Sequence, residues 1–489
     1  MRERYFTART PQTKEKYRKE DERLRGEILG LLQKGGWPSE ITKQLASWNP
    51  YDQNTAANFF DPEWMFGLKE GFDVVIGNPP HGHTINENKK YFIQHYISAE
   101  GKHEVFKYFI EKGLSLLAPK ATLSYITSDT WTSLGYFKKL RKLIYTNYQL
   151  RAISKSLYNV FETATVDTNI FFIANEKPVP KYFLIEGDLQ SRNERVLDIN
   201  DEYVFNLKEE NSIIKLIKDK HKTIEDFCEV WQGLIAYGSK SQTRTYTSNQ
   251  KETKLHRKLV YGRDIAKYKI SWSGEYLKYG EWLHRPRPSY IFTNQKILVQ
   301  RIRNPQLKER LICAIDNDGF INGTGLSNIL LKKNISKPSL YYILCILNSS
   351  LISYWFNFYF IDVNIKPEQL RKVPIKLSDK KDTFNYCCNY ITTAKKYEKI
   401  FSDFFEHLID AMVYELYLPE EITAAGANVL CHLQNLPDIQ PLLEKGETEK
   451  ALKTIEKVYK ELSNPIHPVS VAMQKMQEIE EVKIIEGKN

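Results

Sequence analysis

The sequence predicts an open α/β sheet, then a mixed α/β domain, then a helical C-terminal segment. Three observations carry this. Between residues 72 and 174, short apolar runs rich in β-branched residues alternate with amphipathic stretches, the rhythm of strand–helix–strand units. The rhythm stops at 177–181, where Pro178 and Pro180 punctuate the chain. Beyond residue 376, stretches such as YEKIFSDFFEHLIDAMVYELYL place apolar residues three and four apart, the spacing of one helix face.

Segment boundaries follow at 1–50, 51–178, 179–375 and 376–489. In the first, a charged helix over 15–32 stops at Gly35-Gly36 and Pro38. A loop of turn residues, WNPYDQNTAANFFDPEWMFG, leads into Phe72-Asp-Val-Val-Ile76, the most strand-like run of the N-terminal half. Such a run is the usual form of a buried parallel strand. A helix over 103–119, a strand over 122–127, a helix over 136–146 and strands over 150–154 and 169–174 complete the α/β part. Residues 182–375 read as short strands with many turns.

One charge-free run, PSLYYILCILNSSLISYWFNFYFI at 338–361, is long enough to span a bilayer. Asn348, Ser349, Ser350, Ser353 and Asn357 lie within it, so it reads as a buried helix that breaks near Asn348 and continues through 354–358. No membrane partner is expected. The N-terminus has no apolar signal-peptide core, and a cytoplasmic location is expected.

The 489 residues carry a net charge of +10, with 42% hydrophobic residues, which excludes a disordered chain. The charge is uneven. Residues 238–311 hold 17 Lys+Arg against 5 Asp+Glu, whereas 376–489 hold 14 against 19. The basic stretch is interleaved with Tyr246, Tyr261, Tyr268, Trp272, Tyr276, Tyr279, Trp282 and Tyr290, a composition that suits a polyanion with stackable bases or an ordinary solvated face. The six cysteines form no CxxC pair; they read as reduced thiols, and no metal site is expected.

The strand at 72–76 ends in Gly77-Asn78-Pro79-Pro80. In open α/β sheets, ligands collect beyond the carboxyl ends of strands. Two prolines stop the ladder and fix an extended backbone. They present the Asn78 side-chain oxygen and the Pro79 carbonyl, both acceptors, to one space. An amino group held by two acceptors has both hydrogens engaged and its lone pair aimed outward, as methyl transfer to a weakly nucleophilic exocyclic amine requires.

Phe72-Asp-Val-Val-Ile-Gly-Asn-Pro-Pro80 closely resembles motif IV of the gamma-type N6-adenine DNA methyltransferases, particularly the fused type IIG restriction–modification enzymes. LSYITSDTW (123–131) and Phe161-Glu-Thr-Ala-Thr-Val-Asp-Thr168 resemble that family's following strand and its motif VIII region. VWQGLIAYG (230–238), LVYGRDI (259–265), ILVQRIRNP (297–305) and LCILNSSLISYWF (344–356) are similar to TaqI-like specificity domains. The resemblance, which covers roughly residues 1–375, implies a partial Rossmann-like methyltransferase sheet followed by a specificity domain. It implies that Asn78 and Pro79 bind the N6 amino group of a flipped adenine in double-stranded DNA, with Pro80 and His81 completing the catalytic motif. S-adenosylmethionine is the implied methyl donor. His81 holds the motif's stacking position, usually Tyr, Phe or Trp, and Phe161 is a candidate second wall. In the basic stretch, Lys240, Arg244, Arg263, Arg301 and Arg303 are the candidate phosphate contacts.

Two parts of the family pattern are missing. Only 77 residues precede Asn78, and they contain no strand–GxG–helix unit; the chain's one GxG is Gly323-Thr-Gly325, which reads as a turn. No nuclease-like Asp…Glu-x-Lys strand precedes it either. The chain is therefore expected to be the motif IV-onward part of a longer or split enzyme, with an upstream polypeptide supplying the cofactor-binding and nuclease parts. A non-catalytic DNA-binding specificity subunit is the second reading, and a protein-glutamine or RNA methyltransferase the third.

Overall fold

The computed structural model describes residues 1–488 apart from 53, 55, 56, 58, 81–86, 156–167, 187–190, 197–202, 206, 208–210, 219–220, 239–245, 306, 336 and 361–362. Two compact units divide the chain. One comprises residues 1–132 and 136–207, the other 133–135 and 208–489.

The first unit opens with helices α1 (Arg2–Thr7), α2 (Pro11–Lys34), α3 (Ser39–Ser47) and α4 (Pro62–Phe66). The Thr10 side chain accepts from the Thr13 amide and Pro11 occupies the first turn, so α2 begins with a capped end. It ends at Gly35, as the sequence predicts. Arg25 ties α2 to the end of α3 by donating to the Trp48 carbonyl at 2.6 Å.

Six strands follow: β1 (Phe72–Gly77), β2 (Leu117–Ser128), β3 (Gln149–Ser154), β4 (Thr168–Ala174), β5 (Lys181–Glu186) and β6 (Ser191–Val196). They form one sheet in the order β1-β2-β4-β3-β5-β6. β1 pairs parallel with β2, and β3 with β5; the other pairings are antiparallel. With α5 (Lys89–His95), helices α6 (Val105–Ser115) and α7 (Lys138–Asn147) complete the α/β order. One sheet face, with Leu123, Tyr125, Ile153, Phe171 and Ile173, is buried.

Two expectations are corrected here. The first unit does not end near residue 178. Gln149 on β3 accepts from the Val179 amide and donates to the Lys181 carbonyl, so the two prolines turn the chain back into the same sheet and the unit runs on to Leu207. The strand at 72–77 is parallel but not buried. It lies at the sheet's edge, with Val74 64% and Ile76 81% exposed.

The second unit holds a four-stranded antiparallel sheet ordered Cys313–Asp316, Lys296–Gln300, Leu326–Leu331, Cys228–Gln232, and a smaller sheet built around His256–Val260. The C-terminal helices, among them Lys381–Lys396, Ser402–Tyr417 and Thr448–Leu462, do not form a separate domain. A single core runs from Ile213 and Cys228 through Ile346 to Ile455 and Ile485.

The charge-free run forms two helices, Leu340–Asn348 and Ser350–Tyr359, with the break where the sequence places it. Asn348 explains the break. Its side-chain oxygen accepts from the Cys313 amide at 2.9 Å and its amide donates to the Cys313 carbonyl at 3.0 Å, extending the strand ladder by one side chain. Ser349 then caps the next helix, and Asp410 accepts from the Ser350 amide at 2.8 Å. Replacing Asn348 by Ala removes the Cys313 amide's acceptor, while the Cys313 carbonyl keeps the Tyr268 amide at 2.9 Å, and is expected to cost about 1–3 kcal/mol in urea denaturation. No helix among the described residues is long and apolar enough to cross a membrane.

Candidate active site

β1 delivers Asn78-Pro79-Pro80 to the carboxyl end of the sheet. Gly77 lets the strand lie against β2 there: a β-carbon at this position would sit 3.1 Å from the Tyr125 ring, tighter than ordinary contact. Pro79 is buried, whereas Asn78 and Pro80 are exposed. The turn is thus anchored through one proline while the asparagine remains reachable from solvent. His81 and Phe161 lie outside the described residues.

The loop after β2 is held beside this end by groups that sequence reasoning missed. Trp131 is fully buried between Phe171 and Phe205, at centroid distances of 4.9 and 5.5 Å. Its indole N–H donates to the Asn169 side chain at 3.2 Å, and its carbonyl accepts from Arg141 at 2.9 Å. Lys107 on α6 is also fully buried. Its ammonium donates to the carbonyls of Glu100, Lys102 and Tyr136 at 2.9, 3.0 and 2.7 Å. That joins the loop before α6 to the turn after β2. Burial pushes its pKa down to about 8. The signal was present: positions 107, 110 and 114 share one helix face, and Lys107 interrupts its apolar stripe.

In the basic stretch, the structure separates the candidate contacts. Arg263 is exposed, its side chain 72% accessible, with its guanidinium over the Tyr261 ring at 5.0 Å. Arg301 is not an available phosphate contact. It is buried and donates to the carbonyls of Ile365 and Thr324 at 3.0 and 2.7 Å, bracing the Gly323-Thr-Gly325 turn from inside. Arg303 is half-buried and donates to the Glu309 carbonyl at 2.7 Å. Lys240 and Arg244 lie outside the described residues.

The interleaved aromatics differ from the expectation of open stacking faces. Tyr268 is buried, and Trp272, Tyr279 and Trp282 are half-buried beneath the cations of Lys258, Arg257 and Lys278 at 4.8, 5.5 and 5.7 Å. The rings serve as platforms that hold basic groups. Lys258, exposed on its strand, was not among the sequence candidates. Only its strand partners show that it faces out over Trp272.

Residues 5–161 match the family described as Eco57I restriction-modification methylase, and residues 257–375 match the TaqI-like C-terminal specificity domain. The chain joins an Eco57I-like methylase domain to a TaqI-like specificity domain. Among curated relatives it is 25% identical over 404 residues to the putative type II restriction enzyme and methyltransferase RM.MjaORFECS2P of Methanocaldococcus jannaschii, a match covering 74% of this chain and 32% of that one. It is 23% identical over 251 residues to type II methyltransferase M.BstVI of Geobacillus stearothermophilus, covering 42% of this chain and 43% of that protein. With RM.Eco57I of Escherichia coli it shares 30% identity over 112 residues, 22% of this chain and 11% of the relative. The chain thus spans less than half the length of the relatives it matches. A solved structure of the Type IIL restriction-modification enzyme MmeI with DNA aligns at a TM-score of 0.41 and 10% identity, over 83% of this chain and 57% of that one.

Among the described residues no glycine-rich strand-to-helix turn adjoins Asn78. Gly323-Thr-Gly325 turns between Ile321–Asn322 and Leu326–Leu331 in the other unit, where the Gly323 carbonyl lies against Gly233 so closely that a β-carbon there would clash at 2.1 Å. Among the described residues no group of His, Cys, Asp or Glu could hold a metal ion.

Proposed function

We propose that this chain forms the base-binding and DNA-recognition parts of a site-specific DNA adenine N6-methyltransferase of a type IIG restriction–modification system. The observation that carries the reading is Asn78-Pro79-Pro80, solvent-accessible at Asn78 and rigidly anchored at Pro79, at the carboxyl end of a strand inside the matched methylase segment. Two fixed acceptors there take both hydrogens of an exocyclic amine. The adenine must leave the duplex to reach them, because its amine is otherwise paired. His81 and Phe161 are the proposed stacking walls, and S-adenosylmethionine the proposed donor. Among the described residues no glycine-rich turn stands beside Asn78 to hold that donor, and the isolated chain is proposed to bind DNA and to methylate it weakly or not at all. A tritiated-methyl transfer assay on plasmid DNA tests this: robust turnover by the purified chain contradicts it.

The missing cradle also favours a second reading, a non-catalytic specificity subunit working with a separate methyltransferase. Asn78→Ala distinguishes the two, since only an active site loses methylation in the cell.

DNA binding is proposed to reside in the specificity domain, with Arg263, Lys258, Lys240, Arg244 and Arg303 as the basic contacts. Arg263→Ala is expected to weaken binding about equally for all sequences and to lower the salt dependence by about one counterion. Arg301→Ala is expected instead to lower the melting temperature, because it frees the 323–325 turn. Fluorescence anisotropy across a salt series, alongside thermal denaturation, separates these outcomes.

A further inference from the structure

Among the described residues, the strands Ile235–Gly238 and Leu283–Arg285 pair only with each other, as an antiparallel ribbon separate from the four-stranded sheets of the second unit. Leu283 anchors the ribbon, buried with Leu234 in a core that includes Leu259 and Phe292. Side chains two apart on a strand point to one face, so a regular ladder would send Arg285 inward after Leu283. Arg285 is instead exposed. The ladder is irregular between the two: Leu283 stands opposite Gly238 and Arg285 opposite Ile235, so one strand advances by an extra residue. Such bulges re-aim side chains and are frequent beside functional sites. Beyond Arg285 the chain is held again. Pro286 restricts the backbone, the Arg287 carbonyl accepts from the Tyr279 hydroxyl, and the Ser289 hydroxyl accepts from Arg257 at 3.2 Å.

Other arginines of the basic stretch are engaged. Arg257 donates to Ser289, Arg301 and Arg303 donate to backbone carbonyls, and Arg263 rests on the Tyr261 ring. Arg285 has no hydrogen bond, ion pair or ring contact among the described residues. Its backbone is fixed on both sides, and the five donors of its guanidinium are free. A two-stranded ribbon is one of the elements that the DNA major groove admits. There guanine presents two adjacent acceptors, O6 and N7, which match the parallel N–H pair of an arginine. A phosphate contact needs charge rather than a free fork, and Lys258 and Lys278, seated over Trp272 and Trp282, supply charge. We infer that the ribbon of Ile235–Gly238 and Leu283–Arg285 enters the major groove and that Arg285 reads a guanine of the recognition sequence. This deepens the DNA-recognition reading and rests on it.

To test it, DNA duplexes with a randomised central segment are incubated with the purified full chain, and the bound molecules are sequenced. The wild type is expected to enrich a motif that contains a fixed G·C pair. Arg285→Ala, at an exposed position, keeps the melting temperature and the rest of the motif, and lowers the preference at that one pair about tenfold. Arg263→Ala, by contrast, weakens binding to all sequences alike and leaves the motif intact. A wild-type selection without a motif, an Arg285→Ala motif identical to the wild type, or a preference lost at an A·T pair overturns the assignment. So does a uniform loss of affinity in Arg285→Ala, which marks a phosphate contact. If preference at the G·C pair falls while DNA of the source cells contains no N6-methyladenine, base reading by Arg285 stands and the proposed reaction fails. If N6-methyladenine depends on Asn78 while the Arg285→Ala motif is unchanged, the reaction stands and the role of Arg285 fails.

Discussion

Replacing Asn78 by Ala is expected to lower DNA methylation in the source cells by about 10²–10³-fold, the range typical for loss of one preorganised polar group at a reacting centre. DNA affinity should not change, because the proposed phosphate contacts lie in the specificity domain. The reasoning is geometric. Asn78 is exposed at a strand end whose neighbour Pro79 is buried, so the substitution removes an acceptor without disturbing the anchor. The amine then keeps one partner, the Pro79 carbonyl, and is free to rotate its lone pair back into conjugation with the ring. Nucleoside analysis of genomic DNA, together with anisotropy on the purified variant, reads both quantities. Unchanged methylation would assign the chemistry to another polypeptide.

The largest stability effect is expected from Asp316→Ala, which should cost about 3–5 kcal/mol, as is usual when one partner of a buried ion pair is removed. The Asp316 carboxylate and the Lys296 ammonium form a pair with both side chains fully buried. Asp316 also accepts from the amides of Asp318, Gly319 and Phe320 at 2.8, 3.0 and 2.9 Å, so it organises the turn that follows its strand. Without it, the Lys296 ammonium retains, among the described residues, the Phe292 carbonyl, and burial already holds its pKa below the ordinary lysine range. Urea denaturation gives the cost. Asp316→Asn is the control, since it can keep amide contacts to the turn while losing the charge. If Asp316→Ala costs less than the Asn348→Ala change, the burial of this pair is not what holds the sheet of the specificity domain.

Much of this architecture was legible in the sequence because it is local. The strand at 72–77, the α6 and α7 helices, and the break at Asn348 each follow from periodicity or from a polar residue in an apolar run. What depends on sheet order was not legible. FDVVIG has the composition of an interior strand, and only the order β1-β2-β4-β3-β5-β6 reveals that its side chains are exposed. Pro178 and Pro180 look like a domain boundary, yet Gln149, distant in sequence, closes them into a turn inside the sheet. Arg263 and Arg301 lie in one basic stretch with nothing local to separate them. One reaches solvent over Tyr261, and the other is consumed by two backbone carbonyls. Lys107 could have been found, as the single cation in a buried helical stripe, but its three carbonyl partners come from two loops that the fold alone brings together.

The most direct measurement is the chemical identity of the methylated base. DNA from the source cells, carrying either the wild-type gene or its Asn78→Ala variant, would be digested to nucleosides and analysed by mass spectrometry. The account predicts N6-methyladenine that depends on Asn78. Methylation confined to cytosine, or N6-methyladenine that persists at the wild-type level in the variant, would contradict it.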